Sequence, residues 1–197
     1  MIKRLKASFL LVSVLFISGT LMAQTVTTES PKKEEDEFAK KKADTKLTEV
    51  IPTDSVPASE LVLRAINWIK EESDAMYKKT SGANTSGKAE CTVTFPVKPK
   101  DLNPQFDYTG KISMKVVIEC KTSKYKYTVS EIKHLSKSGN TSGGSIDNKI
   151  PECGSIGLDD IVWKKIRGEA LRGAAQVVID LKAGMAKLSK DASKDEW

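Results

Sequence analysis

The stretch that most restricts the fold runs over residues 110–133 and reads GKISMKVVIECKTSKYKYTVSEIK. Apolar side chains take every second position in its first half, and the alternation returns after a short turn near 121–123. The apolar positions are Ile112, Met114, Val116, Ile118, Cys120, Tyr125, Tyr127 and Val129. Because successive side chains of a strand point to opposite faces, this period predicts two antiparallel strands. One face is then suited to a core, and the other to water or a partner.

The amino terminus has the three-part layout of a secretory signal peptide. Lys3, Arg4 and Lys6 are followed by the apolar run 9–17 and by Ala23, a small residue suited to precede a cleavage site. We expect residues 1–23 to be removed and the protein to be exported to the periplasm or secreted. The apolar run is shorter than the ~20 residues that a membrane-spanning helix needs, so no transmembrane segment is expected after cleavage.

The charge balance argues against a nucleic-acid partner. The chain has 32 basic and 26 acidic residues, which gives a net charge of +6. Three of the basic residues lie in the predicted signal peptide, so the mature chain keeps 29 basic against 26 acidic residues and a net charge of +3. This excess is mild for nucleic-acid binding, and export weakens that possibility further.

Three cysteines, Cys91, Cys120 and Cys153, form an odd set for an oxidising compartment. Cys91 and Cys120 take inward positions of their strands, which is typical of small buried apolar side chains. The alternative is a disulfide between Cys120 and Cys153, because Cys120 ends a strand and Cys153 lies in a flexible return. The spacing does not match a zinc site, and neither a metal nor a cofactor is expected.

Composition and periodicity divide the mature chain into three parts. Residues 24–44 are charged and almost free of apolar side chains, which predicts a disordered tether. Residues 45–188 form the predicted domain, and 189–197 a frayed tail. The expected elements are a strand at 46–51, a helix at 55–70 capped by Ser55, strands at 75–80 and 88–97, the pair at 110–133, and a helix at 158–185.

This order, β-α-β-β-β-β-α, predicts an α+β domain. An antiparallel sheet of four to five strands with two helices on its apolar face buries every apolar stripe. Gly168, Gly173 and Gly184 lie in the last helix, where each costs on the order of 1 kcal/mol against alanine, so they suggest close packing at two sites and a helix end near Gly184.

Three short motifs resemble the bacterial domain of unknown function 4468. They are Ala65-Ile66-Asn67-Trp68-Ile69 in the first helix, the strand entry Gly110-Lys111 and the closing strand Lys124-Tyr125-Lys126-Tyr127-Thr128. The resemblance covers about residues 45–135 and implies a curved antiparallel sheet of TBP-like fold in exported proteins of Gram-negative bacteria. That family brings no established activity and no catalytic residues. Its likeness to the TATA-binding protein is one of shape, which does not imply DNA binding.

Few residues suggest catalysis. His134 is the only histidine, lies just past the predicted strand pair, and is interpreted as a surface residue. Asp159 and Asp160 are placed to favour a helix amino terminus, not paired acid–base chemistry. We therefore predict no catalytic residues, and the alternative is a hydrolase of unfamiliar type that uses Cys153 or Asp159.

The remaining candidate is the outward face of the sheet. Its predicted binding residues are Thr92, Thr94, Lys111, Ser113, Lys115, Lys124, Lys126 and Thr128. Such lysines often serve only solubility and edge protection. The functional interpretation is a binding or assembly module of the cell envelope for an acidic protein, a glycan or a lipid headgroup. A third possibility is peripheral membrane association through the basic side of the last helix, formed by Lys164, Lys165, Arg167, Arg172 and Lys182.

Overall fold

The structure of the protein is a computed structural model. It describes residues 44–71, 77–99, 108–137 and 139–188. These residues belong to one compact unit, Lys42–Trp197. The predicted signal peptide, the tail and all of the tether except Asp44 lie outside the described residues, as does the beginning of the strand predicted at 75–80.

The described chain forms one antiparallel sheet and three helices. The strands are β1 (Leu47–Pro52), β2 (Lys78–Ser81), β3 (Lys88–Val97), β4 (Gly110–Lys121), β5 (Lys124–Ser136) and β6 (Gly144–Ser145). The helices are α1 (Ala58–Lys70), α2 (Gly154–Gly157) and α3 (Asp160–Ala186). The strand order is β1-β5-β4-β3-β2, and the two-residue β6 also pairs with β5. The predicted α+β class is confirmed, with β6 and α2 as additions.

The hairpin of β4 and β5 occupies the centre of the sheet, as its alternating pattern predicts. The inward side chains of both strands are buried. A bulge interrupts the pairing between Ser113 and Lys115 of β4, where Glu131 is the extra residue of β5 and has a φ of 53°. Because one residue is added, the inward phase of β5 passes from Val129 to Ile132 and His134.

Both long helices cover the same face of the sheet. Helix α1 packs on β2, β3 and β4, while α3 packs on β3, β5 and α1. The apolar stripe predicted for α3 is buried throughout and consists of Trp163, Ile166, Ala170, Ala174, Val177, Leu181 and Met185. The core therefore lies between one face of the sheet and the two helices, and the opposite sheet face carries no helix from the described part of the chain.

Two glycines of α3 allow the close approach that the sequence suggests. A Cβ on Gly173 would overlap the ring of Phe95 in β3, and one on Gly184 would overlap Trp68 in α1. Gly168 has no such neighbour, since the nearest atom to its Cβ position is Nη1 of Arg172 at 3.8 Å. Close packing at two sites is therefore found, at Gly173 and Gly184 and not at Gly168.

The two helix starts differ in how they are capped. Asp159 caps α3, and its side chain accepts a hydrogen bond from the N–H of Ile161 at 2.7 Å. The cap predicted for α1 is wrong. Pro57 takes the cap position without a side-chain hydrogen bond, and Ser55 lies two residues before it with a φ of 52°. Helix α1 therefore begins at Ala58.

The predicted bridge between Cys120 and Cys153 is not formed, and all three cysteines are free. Cys120 pairs with Tyr125 at the hairpin end of β4. Cys153 lies next to Gly157, which contacts the segment that follows β5, beyond the far end of β4. Since a strand rises about 3.3 Å per residue, the length of β4 alone separates the two ends by roughly 33 Å. A disulfide cannot span that distance.

Candidate functional site

The sheet face opposite the helices is the candidate binding site, and we call it the open face. All eight residues predicted from the sequence lie on it, because each occupies the outward phase of β3, β4 or β5. Strand pairing extends the face to β1 and β2, where Thr48 is opposite Thr128 and Thr80 is opposite Thr92. The structure thus brings the predicted residues together on one surface.

Lysine is the main charged residue of the open face. Its regularly paired positions carry eight lysines and two glutamates, Glu90 and Glu119. The lysines are Lys78, Lys88, Lys111, Lys115, Lys121, Lys124, Lys126 and Lys133. The net charge of these positions is therefore +6, twice the +3 expected for the mature chain.

The glutamates partly neutralise the middle of this surface. The carboxylate of Glu90 forms ion pairs with Nζ of Lys88 and of Lys115, each at 3.0 Å, and that of Glu119 pairs with Nζ of Lys126 at 2.8 Å. Hydrogen bonds from Lys88 and then Lys115 hold the pKa of Glu90 below its usual value, and Lys126 does the same for Glu119. Two of the four lysines predicted to bind, Lys115 and Lys126, are therefore already paired within the protein.

The unpaired positive charge lies at two ends of the open face. Lys121 and Lys124 face each other across the last pair of the hairpin. At the opposite end, Lys111 is opposite Leu135, and Lys133 lies one outward position away. Among the described residues none of these four lysines makes an ion pair. The two basic ends are roughly 30 Å apart, given the rise per residue of a strand.

Hydroxyl groups occupy the area between the basic ends. They come from Thr48, Thr80, Thr92, Thr94, Ser113, Thr128 and Ser130. Ser113 lies between Lys133 and Thr94 in one cross-strand row, and Lys115 lies between Ser130 and Thr92 in the next. Apart from Val117, which lies between Thr128 and Glu90, the centre of the open face is thus polar, with both donors and acceptors available.

The type of side chain limits what this surface can recognise. The regularly paired outward positions described above hold no aromatic residue and no arginine; the described arginines, Arg64, Arg167 and Arg172, lie on the helices. Lysine acts as a compact point charge without the fixed fork of arginine. Without rings the surface also lacks the stacking that single-stranded nucleic acid requires.

The interpretation of His134 as a surface residue is wrong. The bulge turns this side chain inward, and it is fully buried beside Trp163. Its Nδ1 accepts a hydrogen bond from the N–H of Gly143 at 3.1 Å. Burial lowers the pKa of His134 below its usual value, so the imidazole is neutral at pH 7. A partner or substrate cannot reach it in the folded state.

The two residues of the hydrolase alternative have structural contacts. Asp159 caps α3, and Cys153 is half-buried against Gly157. Burial raises the pKa of the Cys153 thiol, and it raises the pKa of Cys91 to about 12 and that of Cys120 to about 11. None of the three is activated as a thiolate nucleophile would be. Within the four described ranges, no three acidic, histidine or cysteine side chains are grouped as a metal site requires.

The basic side of α3 is only partly available. Lys182 pairs with Glu49 of β1 at 2.6 Å and lies over the ring of Tyr127, where it fastens the helix to the sheet edge. Lys164 and Lys165 are exposed. In the part of the chain that the structure describes, no helix combines the length and the apolar character needed to cross a membrane.

Comparison with solved structures decides the fold. The crystal structure of a TBP-like protein from Parabacteroides distasonis ATCC 8503 matches with a TM-score of 0.50 and 13% identity, over 74% of this chain and 94% of that chain. The chain has a TBP-like fold. A DUF4468 family protein from Bacteroides ovatus ATCC 8483 is also similar, with a TM-score of 0.48 and 9% identity, over 75% of this chain and 89% of that chain. No protein-family model and no curated protein matches the sequence.

The TBP-like fold explains how the site is built. The helices cover one face of the sheet. The outward side chains of the five adjacent strands therefore form one surface on the other face. The predicted TBP-like architecture is confirmed by the match to the TBP-like protein.

Proposed function

We propose that this protein is an exported, non-catalytic binding module of the cell envelope whose open face binds an anionic glycan. The observation that carries the proposal is the distribution of charge on that face. Eight lysines stand against two glutamates, and the unpaired lysines lie at both ends of a hydroxyl-rich centre. An extended anionic polymer with its own hydroxyl groups complements both features.

Charge accounts for the attraction. The ion pairs of Glu90 and Glu119 leave five open-face lysines without a carboxylate, and these lysines are solvated in the absence of a partner. Exposed charges attract an oppositely charged ligand over about a Debye length, which is ≈ 8 Å at physiological ionic strength. Binding should therefore weaken steeply as salt is added.

Other classes of macromolecule fit this surface less well. Protein interfaces are enriched in aromatic residues, methionine and arginine at their centres, whereas the centre of the open face holds threonine and serine around the small apolar residue Val117. Binding to a membrane surface requires apolar side chains that insert into it. Among the described residues, the large exposed apolar side chains of the open face are only two, Val50 and Leu135. A hydroxylated polymer can instead form hydrogen bonds along the whole row of hydroxyl groups.

The non-catalytic part of the proposal rests on the roles of the reactive side chains. His134, Cys91 and Cys120 are buried, and Asp159 holds a helix start. A hydrolase using Cys153 or Asp159 is therefore disfavoured. Export rests on the signal-peptide pattern of residues 1–23, and its test is the amino-terminal mass of the protein recovered from the producing cell. A mature chain that begins at Gln24 supports export, and an intact Met1 in the recovered protein contradicts it.

A panel of defined polymers tests the binding class. Polygalacturonate supplies a carboxylated glycan, dextran a neutral one, poly-glutamate an acidic polypeptide, and phosphatidylglycerol vesicles an anionic membrane. We expect binding to polygalacturonate that weakens about tenfold between low and physiological salt, and none to dextran. Stronger binding to poly-glutamate or to the vesicles would replace the glycan by an acidic protein or a membrane as the partner.

A pair of charge-matched variants locates the interaction. Lys111→Glu combined with Lys124→Glu reverses one unpaired lysine at each end of the open face. Lys164→Glu combined with Lys165→Glu makes the same change in net charge on the exposed side of α3. Only the first variant should lose polygalacturonate. Equal loss in both would mean that net charge and not the open face governs binding, and would contradict the proposal.

A further inference from the structure

A cavity lies at the hairpin end of the open face, between β1 and the turn that joins β4 to β5. Its volume is about 310 Å³. A space of this size accommodates a small polar group with part of its carrier. We call it the hairpin corner, and it is lined by Val50, Glu119, Lys121, Lys124, Tyr125 and Lys126.

The charges around the hairpin corner do not cancel. Lys126 forms an ion pair with the carboxylate of Glu119 at 2.8 Å, so the charges of Lys121 and Lys124 are not balanced by this glutamate. Three lysines against one glutamate leave a net charge of +2 at the cavity. This charge of +2 distinguishes the corner from the centre around Glu90, where two lysines share one carboxylate and the net charge is +1.

The two unpaired lysines are held directly opposite each other. Lys121 and Lys124 form the last pair of the hairpin, and side chains in such a pair have Cβ atoms about 5 Å apart. Like charges at this distance repel and destabilise the strand pairing. An anion placed between the two ammonium groups would turn that repulsion into attraction.

The backbone beneath the lysines is fixed on both sides. The N–H of Thr53 donates to the carbonyl of Ser123 at 2.9 Å, and the N–H of Ser123 donates to the carbonyl of Val56 at 2.9 Å. On the other side, the N–H of Cys120 donates to the carbonyl of Gly87 at 2.8 Å. The backbone of the turn is therefore held in place, and Lys121 and Lys124 remain a directly opposed pair.

From this geometry we propose that the hairpin corner binds a dianionic phosphate group, as a phosphate monoester carries near pH 7. Such a group has a charge of about −1.5 to −2, which matches the net charge of +2 around the cavity. Lysine binds phosphate as a point charge and needs no fixed donor geometry. The inference deepens the proposed function, because it names the group of the glycan that the corner would hold.

The test uses glycerol 3-phosphate and the protein as purified from the cell that produces it. Titration followed by NMR should shift the amide signals of residues 119–126 more than those at the Lys111 end. Lys121→Ala combined with Lys124→Ala should weaken the affinity about tenfold, which corresponds to the loss of two charge contacts. Lys111→Ala combined with Lys133→Ala removes the same charge from the opposite end and should leave the affinity within about twofold.

The source of the phosphate is decided by a second arm. Vesicles that contain phosphatidic acid present the same monoester on a membrane, and phosphatidylcholine vesicles serve as the control. Tighter binding to phosphatidic acid vesicles than to glycerol 3-phosphate would assign the corner to a lipid headgroup. Equal or weaker binding assigns it to a soluble phosphorylated compound such as a glycan. Either result supports a phosphate site.

Failure of the corner and failure of the proposed function give different results. The corner is not a phosphate site if glycerol 3-phosphate shifts no amide signals at 119–126, or if both double variants lower the affinity for it equally. This conclusion holds whether or not polygalacturonate binds. If the phosphate binds at the corner but polygalacturonate does not bind, the inference stands and the glycan is wrong. Folding of each variant is checked by the unperturbed amide signals of α3, so loss of structure cannot pass for loss of binding.

Discussion

His134 and Gly143 are joined by a hydrogen bond in which the backbone N–H donates to Nδ1 of the imidazole at 3.1 Å. A backbone N–H can only donate, so Nδ1 carries no proton and the ring is neutral with its proton on Nε2. The side chain is fully buried. Protonation of Nδ1 would therefore remove the hydrogen bond and leave a charge in the core.

This contact predicts acid-sensitive stability. Burial holds the folded-state pKa of His134 below the unfolded value of about 6.5. Between the two pKa values the unfolded chain binds more protons, so the free energy of unfolding falls as the pH drops below about 6.5. The slope is at most about 1.4 kcal/mol per pH unit.

Urea denaturation between pH 7.5 and 5 measures this slope. His134→Gln keeps an acceptor for the N–H of Gly143 and cannot titrate, so its stability should change less over the same interval. The lone histidine also allows a direct NMR titration of its ring. A wild-type slope equal to that of the variant would show that His134 does not cause the acid sensitivity.

The glycines of α3 predict opposite effects of the same substitution. Gly168→Ala should raise the free energy of unfolding by about 0.5–1 kcal/mol, because its Cβ would make only an ordinary van der Waals contact with Nη1 of Arg172 and alanine favours a helix. Gly173→Ala should lower it by about 1–3 kcal/mol, because its Cβ would displace the ring of Phe95. Thermal or urea unfolding of the two variants checks the signs, and destabilisation by Gly168→Ala would contradict the packing described for α3.

The cysteines should behave as three thiols. The native protein should have the mass expected without a disulfide, and an alkylating reagent should modify Cys153 well before Cys91 and Cys120 because those two are buried. In denaturant all three should react. A native mass lower by two hydrogen atoms, with a linked peptide that contains Cys120 and Cys153, would overturn the arrangement of β4 and the loop that follows β5.

The opposed lysines of the hairpin predict a stabilising substitution. Lys121→Thr removes the repulsion with Lys124 and should raise the free energy of unfolding by about 0.5 kcal/mol. Lys111→Thr is the matched control, since Lys111 is opposite Leu135 and meets no like charge. A smaller gain at Lys121 than at Lys111, measured at low salt, would mean that the lysines are not held against each other.

Much of this architecture follows from local patterns. The alternation of β3, β4 and β5 and the helical stripe of α3 place nearly every core residue correctly, because the period of a strand or helix decides which side chains share a face. The outward phase likewise brought the eight predicted surface residues onto one face. These features depend only on neighbours along the chain.

The errors arise where a distant contact or a single inserted residue decides the outcome. The bulge at Glu131 changes the phase of β5, so a period of two extended from Val129 misplaces His134. Pairing between strands gives Lys115 and Lys126 their glutamate partners, and it places Lys121 against Lys124. Glu90 and Glu119 share the outward phase of the predicted lysines, and this shared phase is the sequence feature from which these ion pairs can be predicted. The separation of Cys120 and Cys153 depends on where the loop after β5 returns.

The central claim is that the open face holds the anionic partner, and lysine reactivity tests it most directly. An amine-reactive reagent followed by mass spectrometry reports the modification of each lysine with and without polygalacturonate. The account predicts protection of Lys111, Lys124 and Lys133 on the open face and unchanged reactivity of Lys164 and Lys165 on α3. Protection of the α3 lysines with the open face still reactive would contradict it and assign binding to the helical side.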